Sequence, residues 1–137
     1  MSYDLVEREV ATGRQLEARV LLRSAMRLND AITGTNADDL FTAVSLNNRL
    51  WLLFASEIDR GAVSLPPEVA RNILQLASFV VTSAPRAFAR DRATLEALVN
   101  INRRIAAGLS VEVEGAEQAQ PAAASGERRS AGFATSA

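Results

Sequence analysis

Most of the side chains that carry enzyme chemistry are missing from this sequence. It contains no histidine and no cysteine, and all 15 of its basic residues are arginine. Without these side chains the chain has no disulfide, no thiol nucleophile, no Schiff-base lysine and none of the usual nitrogen or sulfur ligands of zinc. We therefore expect no metal site, no cofactor and no enzymatic activity.

Paired carboxylates are the remaining candidates for acid–base chemistry. Asp38 and Asp39 lie at a predicted helix start, and Glu57 and Asp59 lie near a predicted helix end. Acidic side chains at a helix start stabilise the unpaired backbone N–H groups there, and carboxylates at an exposed helix end are simply solvated. These pairs predict capping and solvation, not catalysis.

Composition favours an ordinary folded domain. Hydrophobic residues make up 48% of the chain and aromatic residues only 5%, so the core must consist mainly of Leu, Val, Ile and Ala, which suits helix packing. The net charge of −1 argues against nucleic-acid binding, which relies on concentrated positive charge. Residues 1–10 contain no apolar run typical of a secretory signal, and no stretch has the length of a membrane span. We expect a cytoplasmic protein, and we favour a monomer.

The first two helices are predicted from apolar residues at three- and four-residue spacing. Thr12 and Gln15 have the spacing of a capping box, which places the first helix at about 12–33, before Gly34. Asp38 or Asp39 is the predicted cap of a second helix that runs to about residue 60. Its inward stripe comprises Leu40, Val44, Asn47, Trp51, Phe54 and Ile58. Further apolar residues surround that stripe, namely Phe41, Ala43, Leu46, Leu50 and Leu53, and they predict that this helix lies at the centre of the fold.

The second half of the chain predicts two more helices. One begins at the Pro66 and Pro67 pair and ends at about residue 84, before Pro85. The last is capped by Asp91 or Thr94 and ends near Gly108. The predicted fold is an all-α bundle of about four helices over residues 1–109, followed by a disordered tail rich in Ala, Ser and Glu over residues 110–137.

Two asparagines within apolar stripes are the least expected feature. A buried amide without partners costs about 1–3 kcal/mol, so Asn47 and Asn102 must bond to the backbone, to each other or to a bound partner. As a structural interpretation, they bridge helices. As a functional interpretation, they line a groove for a partner helix together with Trp51, Arg49 and Arg103, which form our candidate partner-binding set. Trp51 fits either a core position or a binding hot spot.

Arg19, Arg23 and Arg27 form a row on the first helix. Such a row is most simply a solvated face, and a surface for an acidic partner or RNA is the alternative. The alternation of arginine with aromatic residues that suits single-stranded RNA is absent.

Four local segments follow an early Tyr3 in a recognisable order. They read RQLEARVLL at 14–22, NNRLW at 47–51, LPPEV at 65–69 leading into LASFV at 76–80, and INRRIAAGL at 101–109. In these segments the sequence resembles the alphaproteobacterial flagellar biosynthesis regulator family FlaF. The resemblance extends over residues 3–109. It implies a non-enzymatic protein needed for flagellin synthesis and export, acting with a second small regulator, FlbT.

The resemblance leads to three hypotheses. In the first, the protein is a cytoplasmic chaperone or export adaptor that holds the terminal helices of flagellin in a groove between the second and last helices. In the second, it regulates flagellin translation through RNA or through an FlbT-like partner. In the third, it is a structural bundle that oligomerises through its second helix.

Overall fold

The chain folds as an all-α bundle. The computed structural model describes the backbone of residues 3–119 and the side chains of residues 15–110. Within residues 3–119 the helices are α1 (Tyr3–Thr33), α2 (Ala37–Asp59), α3 (Pro67–Thr82), α4 (Ala84–Phe88) and α5 (Arg92–Ala119). The prediction of an all-α bundle is confirmed. The structure has one helix more than the four predicted over this part, because α4 is a short separate helix. No helix of the described part combines the length and the apolar content that a membrane span needs.

Helices α1 and α5 form a long antiparallel pair. Arg90, just before α5, donates to the Ala31 carbonyl near the end of α1. Farther along α5, Asn102 donates to the carbonyl of Leu21, which lies earlier in α1, so the two helices run in opposite directions. The predicted inward stripe of α2 faces the core, and buried apolar residues of α1, α3 and α5 complete that core. Buried members include Ala18, Leu21, Ala25, Leu28, Val44, Trp51, Phe54, Ile73, Ala77, Val80, Leu95, Leu98 and Leu109.

The outer ends of this helix pair differ from the sequence prediction. The predicted start at Thr12 is wrong, because α1 begins at Tyr3 and Thr12 lies inside the helix. The predicted end near Gly108 is also wrong, because α5 continues to Ala119. In the antiparallel register the first turns of α1 lie beside the last turns of α5, and a neighbouring helix favours helical backbone beyond weak local stop residues. The rest of the predicted tail, 120–137, lies outside the described residues.

The boundaries of α2 follow from its capping residues. The Oδ1 atom of Asn36 accepts a hydrogen bond from the Asp39 N–H at 3.0 Å, so Asn36 is the N-cap and the prediction of Asp38 or Asp39 as the cap is wrong. The two aspartates lie in the first turn instead, where they still favour the positive end of the helix dipole. The predicted end near residue 60 is confirmed, and Gly61 follows with φ of +76°.

Helix α2 is less central than predicted. It contacts α1, α3 and α4, and the predicted inward stripe is buried. However, Phe41, Leu46 and Leu53 are exposed, so the placement at the centre is wrong for this part of its circumference. The periodicity of α2 identifies its buried side correctly. Beside that side, the described residues leave Leu46 and Leu53 exposed, and Phe41 is covered only in part by its contact with Phe88 of α4.

A sharp turn joins α3 to α5. Helix α3 ends at Thr82, two residues before the predicted end, and the Ser83 hydroxyl donates to the Val80 carbonyl. Pro85 lies in the first turn of α4, where a missing N–H is tolerated. Of the two predicted caps of α5, Asp91 is correct, since its Oδ2 atom accepts from the Thr94 N–H at 3.1 Å.

Arg90 connects this turn to the end of α1. Its guanidinium donates to the carbonyl oxygens of Ala31 at 2.9 Å and Gly34 at 2.6 Å, and to that of Asn36 at 3.4 Å. The Ala31 and Gly34 carbonyls lie at the C-terminal end of α1, where positive charge is favoured. Arg90 itself has φ of 63°, a left-handed conformation that strains any residue other than glycine.

Two substitutions at Arg90 separate the capping effect from the backbone strain. We expect both Arg90→Ala and Arg90→Gly to destabilise the fold, because both remove the guanidinium. The glycine variant should be the more stable of the two by about 1 kcal/mol, because glycine adopts positive φ without a Cβ clash. Urea unfolding followed by the fluorescence of the single tryptophan gives both free energies. Equal stability of the two variants would contradict the strain at this position.

Candidate functional site

Asn102 is the centre of a buried polar network. Its Oδ1 atom accepts a hydrogen bond from Nε1 of Trp51 at 2.8 Å. Its Nδ2 group donates to the Leu21 carbonyl oxygen at 3.2 Å and to Oδ1 of Asn47 at 2.8 Å. Both amide hydrogens of Asn102 are therefore used, and the side chain is fully buried. One residue of α5 thus connects to the backbone of α1 and to two side chains of α2.

Asn47 extends this network to a second position on α1. Its Oδ1 atom also accepts from the Ser24 hydroxyl at 2.9 Å. Its Nδ2 atom has no hydrogen-bond partner, the single such atom among the buried polar side chains that the structure describes. Ser24 was missed in the sequence, although a serine among the apolar residues of the first helix was a usable signal.

The network decides between the two interpretations of the asparagines. Asn47, Asn102 and Trp51 bridge α1, α2 and α5, so the structural interpretation is confirmed. All three side chains are buried, and Trp51 packs edge-on against Phe54 with ring centroids 6.0 Å apart. A partner therefore cannot touch them while the helices remain packed in this way. Among the described side chains, the groove between α2 and α5 that the chaperone hypothesis placed at these residues is therefore not open at Asn47, Trp51 or Asn102.

The two arginines of the candidate set lie on the surface of different helices. Arg49 and Arg103 are both exposed, on α2 and α5 respectively. Neither forms an ion pair with a described side chain, since the single ion pair among these side chains joins Arg92 and Glu96. A role for Arg49 and Arg103 in partner binding stays a prediction. No group of three or more acidic residues in the described part of the chain is arranged to hold a metal ion.

A pair of carboxyl groups lies between α1 and α2. Burial, followed by a hydrogen bond and charge repulsion from Glu57, raises the pKa of Glu17 to about 7. Glu17 therefore carries a proton at mildly acidic pH. From the sequence, Glu57 was explained by solvation at a helix end. The contact with Glu17 was missed, because residues so far apart in the sequence form no local pattern.

Large apolar side chains are exposed on α1 and α2. Leu16 and Leu53 are each 58% exposed and Leu46 is 38% exposed, while Val20 and Leu50 are half-buried. Helical spacing places all five on the outer side of the α1–α2 pair, away from α5. We refer to these five residues as the outer leucine face.

A shallow cavity adjoins the outer leucine face at the loop between α1 and α2. Its volume is about 230 Å³. Its lining is mainly polar and consists of Arg27, Asp30, Ala31, Gly34, Asn36, Asp39, Thr42 and Ala43. On the side of α2 away from the outer leucine face, the rings of Phe41 and Phe88 are in contact, with centroids 5.5 Å apart.

Removal of the central amide should destabilise the bundle. Asn102→Leu leaves the Trp51 N–H, the Leu21 carbonyl and Asn47 without this partner, and we expect a loss of about 3 kcal/mol in the free energy of unfolding. Asn100→Leu is the matched control, because Asn100 is exposed on the same helix and its replacement should change stability by less than about 0.5 kcal/mol. Similar stabilities for the two variants would contradict a structural role of the network.

The carboxyl pair predicts a dependence of stability on pH. Because folding raises the pKa of Glu17 from 4.5 to about 7, the protonated carboxyl stabilises the fold fully below pH 4.5, and this stabilisation is lost as pH rises through 7. Hydrogen bonds from Thr94 lower the pKa of Asp91 from 3.8. The contribution of Asp91 to stability therefore changes below pH 3.8, outside the pH range in which Glu17 titrates. We expect Glu17→Gln to flatten the pH profile of urea unfolding between pH 4.5 and 7. An unchanged slope would contradict the assignment.

A family model described as flagellar protein FlaF matches residues 1–109. Neither a curated protein nor a solved structure matches the chain. The matched residues include all of the segments that carry the resemblance noted in the sequence, together with Asn47, Trp51 and Asn102 of the buried network. The chain therefore belongs to the FlaF family of flagellar proteins.

Proposed function

We propose that this protein binds flagellin in the cytoplasm before export, as a chaperone or an export adaptor. Membership of a flagellar family supports a role in the flagellum. The observation that carries the proposal is the outer leucine face, where Leu16 and Leu53 are largely exposed on two long helices. Exposed apolar surface shared by neighbouring helices is typical of a site that binds another protein.

Amphipathic helices are a suitable ligand for such a surface. The ends of flagellin are expected to be helices of this kind, and they must not polymerise before export. A helix that places its apolar side on the outer leucine face would bury leucines of both proteins and keep them out of a growing filament. The buried network keeps α1 and α2 in fixed positions, so the surface is formed before the partner arrives.

Purified flagellin provides the direct test. We expect the full-length chain to form a stable complex with monomeric flagellin, seen by size-exclusion chromatography with light scattering, and to reduce flagellin polymerisation when the two are equimolar. A flagellin that lacks its terminal helices is the control and should not bind. Absence of both a complex and an effect on polymerisation would refute the proposal.

The regulatory hypothesis has one supporting observation of its own. Arg19, Arg23 and Arg27 are exposed, and no described side chain forms an ion pair with them. RNA bound by these arginines would dissociate steeply with rising salt, because bound counterions are displaced from the phosphates. Steep salt dependence with a flagellin messenger leader, without a flagellin complex, would favour this second function, and an FlbT-like regulator is then the next partner to test.

Self-association is the third hypothesis, and it differs from the other two because it predicts a mass that rises with protein concentration. Light scattering of the protein alone over a range of concentrations gives its mass. A constant monomeric mass would exclude a structural oligomer.

A further inference from the structure

The outer leucine face has a regular arrangement of apolar and basic residues. On α2, Leu46, Arg49 and Leu53 lie at positions i, i+3 and i+7, which share one side of a helix. On α1, Leu16, Val20, Arg23 and Arg27 follow each other at intervals of four, three and four residues, and share a side in the same way. Each helix therefore places arginine next to its exposed apolar residues.

The contacts between α1 and α2 bring these two sides together. The hydrogen bond from Ser24 to Asn47 and the contact of Glu17 with Glu57 fix the antiparallel register of the pair. In this register Arg23 lies near the level of Arg49, and Val20 lies near the level of Leu53. The exposed leucines thus form a stripe along the middle of the face, with guanidinium groups beside it.

Charge on this face is divided along its length. Asp30 and Asp39 line the cavity at the loop end, and Glu17 and Glu57 lie toward the opposite end. Arg23 and Arg49 occupy the stretch between these acidic groups. Neither arginine has an ion-pair partner among the described side chains. The middle of the face is therefore a positively charged, apolar surface.

From this geometry we infer that the outer leucine face binds an amphipathic helix whose apolar stripe is flanked by carboxylates. Leucines of the face cover the apolar stripe, and Arg23 and Arg49 pair with the flanking acidic side chains. The inference states how the partner in the proposed function docks. It rests on that function only for the identity of the partner, not for its chemistry.

Two other occupants fit this surface less well. A second copy of the chain, related by a twofold axis, would place Arg23 and Arg49 against the same positively charged stretch, and like charges in contact oppose association. Single-stranded RNA would find arginine but no aromatic side chain within the face for base stacking. An amphipathic helix with carboxylates beside its apolar stripe matches both the positive charge and the leucines of the face.

Two synthetic helical peptides test the inference with the full-length protein. Both have leucines at positions i, i+3, i+4 and i+7. Glutamates flank the leucines in one peptide, and lysines flank them in the other. We expect the glutamate peptide to bind at least about tenfold more tightly at low salt, because only it complements the arginines. Fluorescence anisotropy of labelled peptides measures both affinities. Equal affinity for the two peptides, or binding of neither, would overturn the inference.

Matched variants locate the site. Leu53→Glu should reduce binding of the glutamate peptide at least about tenfold, because it places negative charge within the face. Leu52→Glu is the control, since Leu52 is 54% exposed and lies about 100° around the same helix from Leu53. Arg49→Glu should likewise reduce binding of the glutamate peptide, and Arg71→Glu is its control, since Arg71 is exposed on α3 outside the face. Thermal unfolding verifies that each variant is folded. Equal losses within a pair would overturn the location.

Measurements with flagellin separate this inference from the proposed function. If the glutamate peptide binds the face and flagellin does not bind the protein, the inference stands and the proposed function fails. If flagellin binds Leu53→Glu and Leu52→Glu equally well, the function stands and the inference fails. Tight binding of an RNA oligonucleotide that Arg49→Glu abolishes, without binding of the glutamate peptide, would assign the face to RNA and overturn the inference.

Discussion

The hydrogen bonds of Asn102 hold three helices together at a depth that bulk water does not reach. Its carbonyl oxygen binds Trp51 of α2, and its amide hydrogens bind Asn47 of α2 and the Leu21 backbone of α1. An apolar contact tolerates a small sliding of one helix past another, but a buried hydrogen bond does not, because a displaced partner leaves an unsatisfied polar atom. The relative positions of α1, α2 and α5 therefore depend on this one side chain.

The consequence for function lies on the opposite side of α1 and α2. Since the polar network sets their register, it also decides which exposed residues of the two helices become neighbours, and it aligns Leu53 of α2 with Val20 of α1. The residues that first suggested a partner site, Asn47, Trp51 and Asn102, are themselves buried and support the outer leucine face from beneath. The rigidity of this face would limit the entropy lost if a helix docks on it, as we propose.

Local features explain what was predictable in the fold. The inward stripe of α2 was predicted correctly, because helical periodicity depends only on neighbours three and four residues apart. Asp91, one of the two predicted caps of α5, was recognisable because capping also depends on nearby residues. The start at Thr12, the end at Gly108 and the cap at Asp38 or Asp39 were wrong. At the first two positions the pairing of α1 with α5 outweighs a weak local stop, and at the third the preceding Asn36 takes the cap.

The sequence by itself determined the class of fold, the sides of the helices that face the core, and the need for Asn47 and Asn102 to find partners, since burial of an unpaired amide is unfavourable in any fold. Only the tertiary structure decided that those partners are each other and Trp51, and that Glu17 meets Glu57. It also decided that Phe41, Leu46 and Leu53, beside the stripe of α2, stay exposed. These outcomes depend on the distance between helices remote in sequence, which no local pattern records.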